Sequence, residues 1–118
     1  MKNISELFND RKVNSPSISS GTLTLDLSTG RFFNVSLNAN VTTLAFSNVP
    51  SGVAAIIDLK LTQDATGGRT FTWPSAVKWP NGYVPTVTST ANSVDIFTLL
   101  TTDGGTTWQG FIGGQRFV

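Results

Sequence analysis

Short segments in which apolar and polar residues alternate place the narrowest limits on how this chain can fold. Leu23, Leu25 and Leu27 alternate with polar residues, and the same period of two recurs at 57–62 and 93–101. Successive side chains of a β-strand point to opposite faces, so this period is typical of strands with one buried face. Turn signals rich in Gly, Asn, Asp and Pro separate the segments. The sequence therefore predicts an all-β fold.

We expect about seven or eight short strands, packed as an antiparallel β-sandwich or a jelly roll. Parallel pairing is not expected, because no connection is long enough for a crossover helix. The chain divides into an N-terminal arm, residues 1–20, and a β-sandwich domain, residues 21–118. In the arm, Ile4, Leu7 and Phe8 have helical spacing, but a single turn is not stable alone. They either fold back on the domain or dock on a neighbouring subunit.

The composition excludes several classes of protein. The chain has 118 residues, with no cysteine and no histidine, so it lacks thiolate ligands and the most frequent general base. Only 13% of its residues are charged, and the net charge is +1. A nucleic-acid interface needs a cluster of basic residues, which the sequence does not contain. No apolar stretch is long enough to cross a membrane. We therefore expect no nucleic-acid partner, no membrane partner and no cofactor.

The carboxylates do not form a catalytic or metal-binding pattern. Asp26, Asp58 and Asp95 are predicted to lie on the solvent-facing side of alternating strands. Asp64 and Asp103 precede Gly-rich turns, where an aspartate accepts hydrogen bonds from the nearby backbone. Neither turn has the repeated Asp and Asn spacing of a calcium loop. We expect that the protein is not an enzyme and that it has no metal site.

One irregular segment, residues 74–85, carries the side chains best suited to contact a partner. It contains Trp79 and Tyr83 on either side of a tight-turn signal, Asn81-Gly82. Flat aromatic rings stack on sugar faces, and loops on a β scaffold are frequent recognition sites. Trp79 and Tyr83 either pack beneath the loop or form an exposed contact. We name Trp79, Asn81 and Tyr83 as candidate contact residues.

The carboxyl-terminal residues suggest self-association. The chain ends in Arg116, Phe117 and Val118, and the last two side chains would be unfavourable in water. Interfaces between subunits favour aromatic residues and Arg over Lys and Glu. We predict these three residues as candidates for an oligomer interface, and we expect a homo-oligomer, most readily a homotrimer.

Three blocks of sequence carry a resemblance to a known family. They are GTLTLDLSTGRFFNVSLNANVTTLAFSNVPSG at 21–52, LTQDATGGRTFTWPSAVKWPNG at 61–82, and ANSVDIFTLLTTDGGTTWQGFIGGQRF at 91–117. In this order and spacing, they resemble a β-rich module of tailed-bacteriophage virion proteins. The resemblance covers most of the chain and implies a structural role without catalytic residues.

Two virion roles remain open. A capsid decoration (cement) protein would sit on the head as a homotrimer, with Ile4, Leu7 and Phe8 docked on the major capsid protein. We favour this role, because the short arm leaves no room for a fibre shaft. The alternative is a small tail or tail-fibre-associated module that binds host receptor or glycan through the 74–85 loop. Either protein would be assembled in the host cytoplasm and reside in the virion.

Overall fold

A computed structural model describes residues 12–118, and it is built mainly from strands. Within that range the chain forms eight strands and one short 3-10 turn, Pro80–Gly82. The strands are β1 (Val13–Asn14), β2 (Thr22–Asp26), β3 (Phe32–Leu37), β4 (Thr43–Ser47), β5 (Ala55–Gln63), β6 (Val77–Lys78), β7 (Val94–Thr101) and β8 (Trp108–Phe117). The described residues contain no helix that is long and apolar enough to span a membrane. The prediction of an all-β chain is confirmed.

The strands form two sheets with mixed pairing. Six strands lie in the order β1-β3-β5-β7-β8-β6, and β2 pairs with β4 in a second sheet. The β5–β7 and β7–β8 pairs are antiparallel, but the other four pairs are parallel. The prediction of a wholly antiparallel sandwich or jelly roll is therefore wrong for most of the pairings.

The parallel pairs need no crossover helix, because other strands make the connections: a strand of the opposite sheet for the β1–β3, β2–β4 and β3–β5 pairs, and β7 of the same sheet for the β6–β8 pair. The chain passes from β2 to β4 through β3, and from β3 to β5 through β4. Each connection is long enough to return the chain to the start of a parallel neighbour. A crossover made of a strand has the same period of two as the strands it joins. The alternation of apolar and polar residues therefore does not distinguish parallel strands connected by other strands from an antiparallel meander.

The inward faces of both sheets form a single hydrophobic core. Leu23 and Leu25 of β2 have no exposed surface, and neither has Leu59 of β5. The rings of Phe46 on β4 and Trp108 on β8 stack with centroids 4.5 Å apart, which joins the two sheets directly. Each fully buried leucine contributes about 2 kcal/mol relative to an exposed one. The alternation seen in the sequence is therefore the pattern that packs the sheets together.

The inward face of β7 differs from the sequence prediction at one residue. Asp95 was predicted to face solvent, but it is only 2% exposed and lies on the same side of the strand as buried Phe97 and Leu99. The prediction for Asp95 is wrong because an acidic residue was assigned to the solvent face by type rather than by alternation. Hydrogen bonds from other segments compensate for its burial, as described below.

Part of the predicted arm belongs to the larger sheet. Val13 and Asn14, which form β1, pair in parallel with the first residues of β3. Ile4, Leu7 and Phe8 lie outside the described residues, so their docking on a capsid protein stays a prediction.

Candidate functional site

The segment between β5 and β7, residues 64–93, carries the candidate contact residues, and a buried glutamine anchors it. Gln63, the last residue of β5, is 2% exposed. Its Nε2 donates to the carbonyl oxygens of Arg69 at 2.8 Å and Thr88 at 2.9 Å. Its Oε1 accepts the backbone N–H of Arg69 at 3.1 Å. One side chain thus holds the two ends of the segment next to each other.

Asp95 provides a second anchor from β7. Its Oδ2 accepts hydrogen bonds from the backbone N–H of Thr88 at 2.7 Å and from the side chain of Gln115 at 3.0 Å. Its Oδ1 accepts the backbone N–H of Arg116 at 2.9 Å. A buried carboxylate requires such donors in place of its water. Asp95 therefore joins the end of the segment to the end of β8.

Asp64 organises the turn with which the segment begins. Its Oδ2 forms a salt bridge with the guanidinium of Arg69 at 3.0 Å. Its Oδ1 accepts the backbone N–H groups of Gly67 at 2.9 Å and Thr66 at 3.1 Å. Arg69 and then Gly67 hold the pKa of Asp64 below its ordinary value. The carboxylate therefore makes the hydrogen bonds of a turn, as its position before a Gly-rich stretch predicts.

Aromatic side chains pack together where the segment crosses the core. The ring of Trp73 lies edge-to-face with Trp79 and with Phe97, with centroids 4.9 Å apart in both cases. The ring of Phe71 also packs against Trp73, with centroids 4.6 Å apart. The Nε1 of Trp73 donates to the carbonyl oxygen of Pro85 at 3.2 Å. These contacts fix the base of the loop on the scaffold, each aromatic pair adding about 1 kcal/mol beyond area burial.

Trp79 is a packing residue, held against the backbone of β8. It is 6% exposed, and its six-membered ring covers Gly110. A Cβ atom at Gly110 would lie 2.6 Å from the ring, so only glycine allows the indole to approach this closely. The sequence left open whether Trp79 packs beneath the loop or forms an exposed contact, and the structure shows that it packs beneath the loop.

The tip of the loop is exposed and faces outward beyond Trp79. Tyr83 is 78% exposed and Val84 is 59% exposed. Asn81 and Gly82 have φ angles of 57° and 73°, and the backbone N–H of Gly82 donates to the carbonyl of Trp79 at 2.9 Å. Asn and Gly tolerate this left-handed conformation better than other residues. The tight turn that the sequence predicted is confirmed, and it presents Tyr83 to solvent.

An open groove of about 450 Å³ runs along the base of this loop. Its lining residues are Trp73, Pro74, Ser75, Val77, Lys78, Trp79, Gly82 and Val84. A smaller groove of about 200 Å³ also borders Trp79 and reaches Phe111 on β8. We call these two depressions, together with the exposed Tyr83, the loop groove. Loops that surround a concave, largely apolar surface are a usual setting for ligand contacts.

The loop groove offers stacking and hydrogen bonding, with a single charged side chain, Lys78, in its lining. Among residues 12–118, no group of three or more acidic side chains could hold a metal ion. The arrangement can bind an uncharged or weakly acidic molecule with apolar faces. It does not place a nucleophile beside a general base.

The other predicted site residues lie at the end of β8 and do not line the loop groove. Arg116 has a φ of 57°, and its N–H is bound by Asp95. The side chain of Phe117 is 52% exposed and that of Val118 is 85% exposed. Their role at an oligomer interface stays a prediction.

Sequence reasoning missed the two buried anchors and part of the groove. Gln63 follows Ile57, Leu59 and Leu61 in strict alternation, which is the signal that places it on the buried face. Phe111 gave no such signal, because it meets Trp79 only through the fold, and Lys78, although next to Trp79 in sequence, was not recognised as a lining residue.

One comparison with known proteins gives a match. A family model described as "Putative phage tail fibre C-terminal domain" matches residues 17–107. No curated protein and no solved structure matches the chain. The matched range includes β2 to β7 and the whole 64–93 segment.

Proposed function

This chain belongs to the phage tail fibre C-terminal domain family, and from that premise we propose that it is a tail-fibre-associated module that contacts the host surface. The family makes it a β-rich component of a phage virion. The observation that carries the tail assignment is the match over residues 17–107.

The family favours the tail over the head. The sequence led us to prefer a capsid decoration protein, with a tail-associated module as the alternative; the family match supports the alternative better. Ile4, Leu7 and Phe8, which are predicted to dock on a major capsid protein, lie outside the described residues, so that docking stays a prediction. We therefore propose the tail as the virion address, with assembly in the host cytoplasm.

The loop groove is the surface that we propose for host contact, with a glycan as the ligand class. Tyr83 lies between the lining residues Gly82 and Val84 and has an exposed ring, and a sugar ring can stack on such a face. Lys78 in the lining could pair with an acidic sugar. The role is binding without catalysis. Presentation on a homotrimer would repeat a weak contact and increase the overall affinity.

The test truncates two exposed residues of the loop, Tyr83 and Val84. The fluorescently labelled protein is added to host cells, and binding is measured for wild type, Tyr83→Ala and Val84→Ser. We expect each variant to bind about tenfold more weakly, a loss of about 1.4 kcal/mol. Thermal stability should be unchanged, because both side chains are mostly exposed.

Val53→Ala is the matched control. Val53 is 55% exposed but does not line the loop groove, so its truncation should leave cell binding unchanged. Equal binding by Tyr83→Ala, Val84→Ser and wild type would exclude the loop groove as the contact surface. Polysaccharide extracted from host cells should compete for binding if the ligand is a glycan, and failure to compete would point to a protein receptor.

A further inference from the structure

A second depression lies at the β1–β3 edge of the six-stranded sheet. It measures about 180 Å³, and it is lined by residues 15–18 on one side and by Asn34, Ser36 and Asn38 on the other. We call it the edge cleft. The strand order β1-β3-β5-β7-β8-β6 places β5 and β7 between this cleft and the loop groove. The two sites therefore share no residue.

Uncharged polar side chains dominate the lining of the edge cleft. Asn34 and Ser36 alternate with the buried residues of β3, so their side chains point away from the core. Asn38 follows directly after β3 and continues the same spacing. Within residues 12–118, these three side chains make no hydrogen bond, whereas those of Asn14 and Asn40 bond to the backbone. Amide and hydroxyl groups both donate and accept hydrogen bonds, so the cleft suits a ligand with the same two capacities.

The backbone of β3 adds further polar groups to the cleft. The carbonyl oxygen of Leu37 accepts the N–H of Asp64 on the side of β5. Backbone groups of successive strand residues point to alternate sides, so those of Asn34 and Ser36 face the opposite edge. The carbonyl of Ser36 accepts the N–H of Asn38 at 3.1 Å. The N–H of Ser36 and the carbonyl of Asn34 are then left facing the cleft.

A proline keeps this edge of β3 open. β1 pairs with Phe32 and Phe33 and ends at Asn14. Pro16 has no N–H, so the segment after β1 cannot continue the ladder along β3. The open edge spans residues 34–37, which is short for pairing with an extended peptide. The cleft is therefore better suited to a compact ligand than to an added strand.

Charge and size limit the ligand further. No charged side chain lines the edge cleft, and Lys60, which is opposite Asn34 in the strand register, is not in the lining. Phosphates and carboxylates are usually bound by charge-assisted hydrogen bonds, so a neutral ligand fits better. The volume equals about six water molecules at roughly 30 Å³ each, which accommodates a single sugar ring. Pro16 and Ile18, both partly buried, supply an apolar surface on one side.

We propose that the edge cleft binds one neutral sugar ring. The hydroxyl groups of the sugar exchange hydrogen bonds with the side chains of Asn34, Ser36 and Asn38 and with the open backbone edge of β3. Its C–H groups lie against Pro16 and Ile18. This site does not rest on the function proposed for the loop groove, because it uses other residues at the opposite edge of the sheet.

Nuclear magnetic resonance tests the proposal residue by residue. The full chain, labelled with ¹⁵N, is titrated with a panel of neutral hexoses. We expect the backbone signals of residues 34–38 and the side-chain amide signals of Asn34 and Asn38 to shift. The dissociation constant should lie in the millimolar range, because a single ring makes few contacts. Signals of residues 82–84 report separately on the loop groove.

Substitutions in the cleft identify the contacts. Asn34→Ala and Ser36→Val each remove hydrogen-bonding groups and should weaken binding about tenfold. Ser36→Val should keep the fold, because valine favours strands, and thermal unfolding checks this. Thr24→Val is the matched control, since it exchanges an exposed hydroxyl for a methyl group on β2, in the other sheet. It should bind the sugar as wild type does.

Methyl glycosides of the same hexoses show where such a ring comes from. Equal binding of the glycosides assigns the cleft to a sugar unit of a glycan, and binding of the free hexoses alone assigns it to a free sugar. The proposal is overturned if no hexose shifts the signals of residues 34–38, or if Asn34→Ala and Ser36→Val bind normally. Shifts confined to residues 82–84 would also overturn it, while leaving the loop groove as the proposed host contact.

Discussion

The buried side chain of Gln63 helps to hold the segment 64–93 in position on the scaffold. Gln63 makes hydrogen bonds to Arg69 and Thr88 from inside the core. Gln63→Leu keeps a similar volume but leaves two carbonyls and one N–H without their partner. Each unpaired buried group costs about 1–3 kcal/mol, so we expect a loss of roughly 3 kcal/mol in the free energy of unfolding. Urea denaturation measures it, with Gln109→Leu at an exposed position of β8 as the control.

The contact between Trp79 and Gly110 makes a second prediction at this scale. Gly110→Ala places a methyl group against the indole and should destabilise the protein by about 2 kcal/mol, as other overpacked sites are. The cause is tested by a double-mutant cycle with Trp79→Ala, measured by thermal unfolding. In the Trp79→Ala background the same glycine substitution should cost little. An equal cost in both backgrounds would show that the indole does not restrict Gly110.

Individual residues also show where sequence reasoning succeeds. The Asn81-Gly82 turn follows from local rules for turns, whereas the sequence left the exposure of Tyr83 open. The burial of Trp79 does not, because it depends on a glycine on β8 that is distant in sequence.

At the scale of elements, three turns use aspartates that are more acidic than usual. The carboxylate of Asp26 accepts hydrogen bonds from Asn48 and Ser28. The carboxylate of Asp64 accepts hydrogen bonds from Arg69 and Gly67. The carboxylate of Asp103 accepts a hydrogen bond from Thr107. These bonds hold the pKa of each of the three aspartates below the ordinary 3.8. The turns that precede β3, β6 and β8 therefore depend on ionised carboxylates.

The folded state binds protons less readily than the unfolded chain at these three sites. Their contribution to stability is therefore fully present above the ordinary pKa and is lost as the pH falls through the lower pKa of the folded state. We expect the urea midpoint to decrease below about pH 4. Asp64→Asn should lower the midpoint at neutral pH and reduce its decrease in acid. A midpoint that stays constant in acid would contradict this prediction.

Strands were easier to predict than their pairing. The period of two identified β2, β3, β5 and β7, because one face of each strand must be buried. Pairing depends on which strand returns beside which, and the chain reaches parallel neighbours through strands of the other sheet. The antiparallel β7–β8 hairpin was predictable, because its Asp-Gly-Gly turn lies between the two strands.

At the scale of the whole molecule, the core and the exposed surfaces have separate tasks. The inward faces of both sheets hold the fold together, and the loop groove is proposed for host contact. Val77 and Trp79 belong to both surfaces, so only the exposed residues of the loop groove can be altered without affecting the core. The candidate site could be predicted from sequence only at its exposed tip, because the groove is formed by residues from β6, the loop and β8.

The virion address is the central claim, and localisation on the particle tests it most directly. Gold-labelled antibody against this protein is applied to intact virions of the phage that encodes it, and the label is mapped by electron microscopy. Particles grown without the protein are the control for specificity. We expect the label at the tail, where a tail-fibre-associated module is placed. Label distributed over the head would contradict the account and support a capsid decoration protein instead.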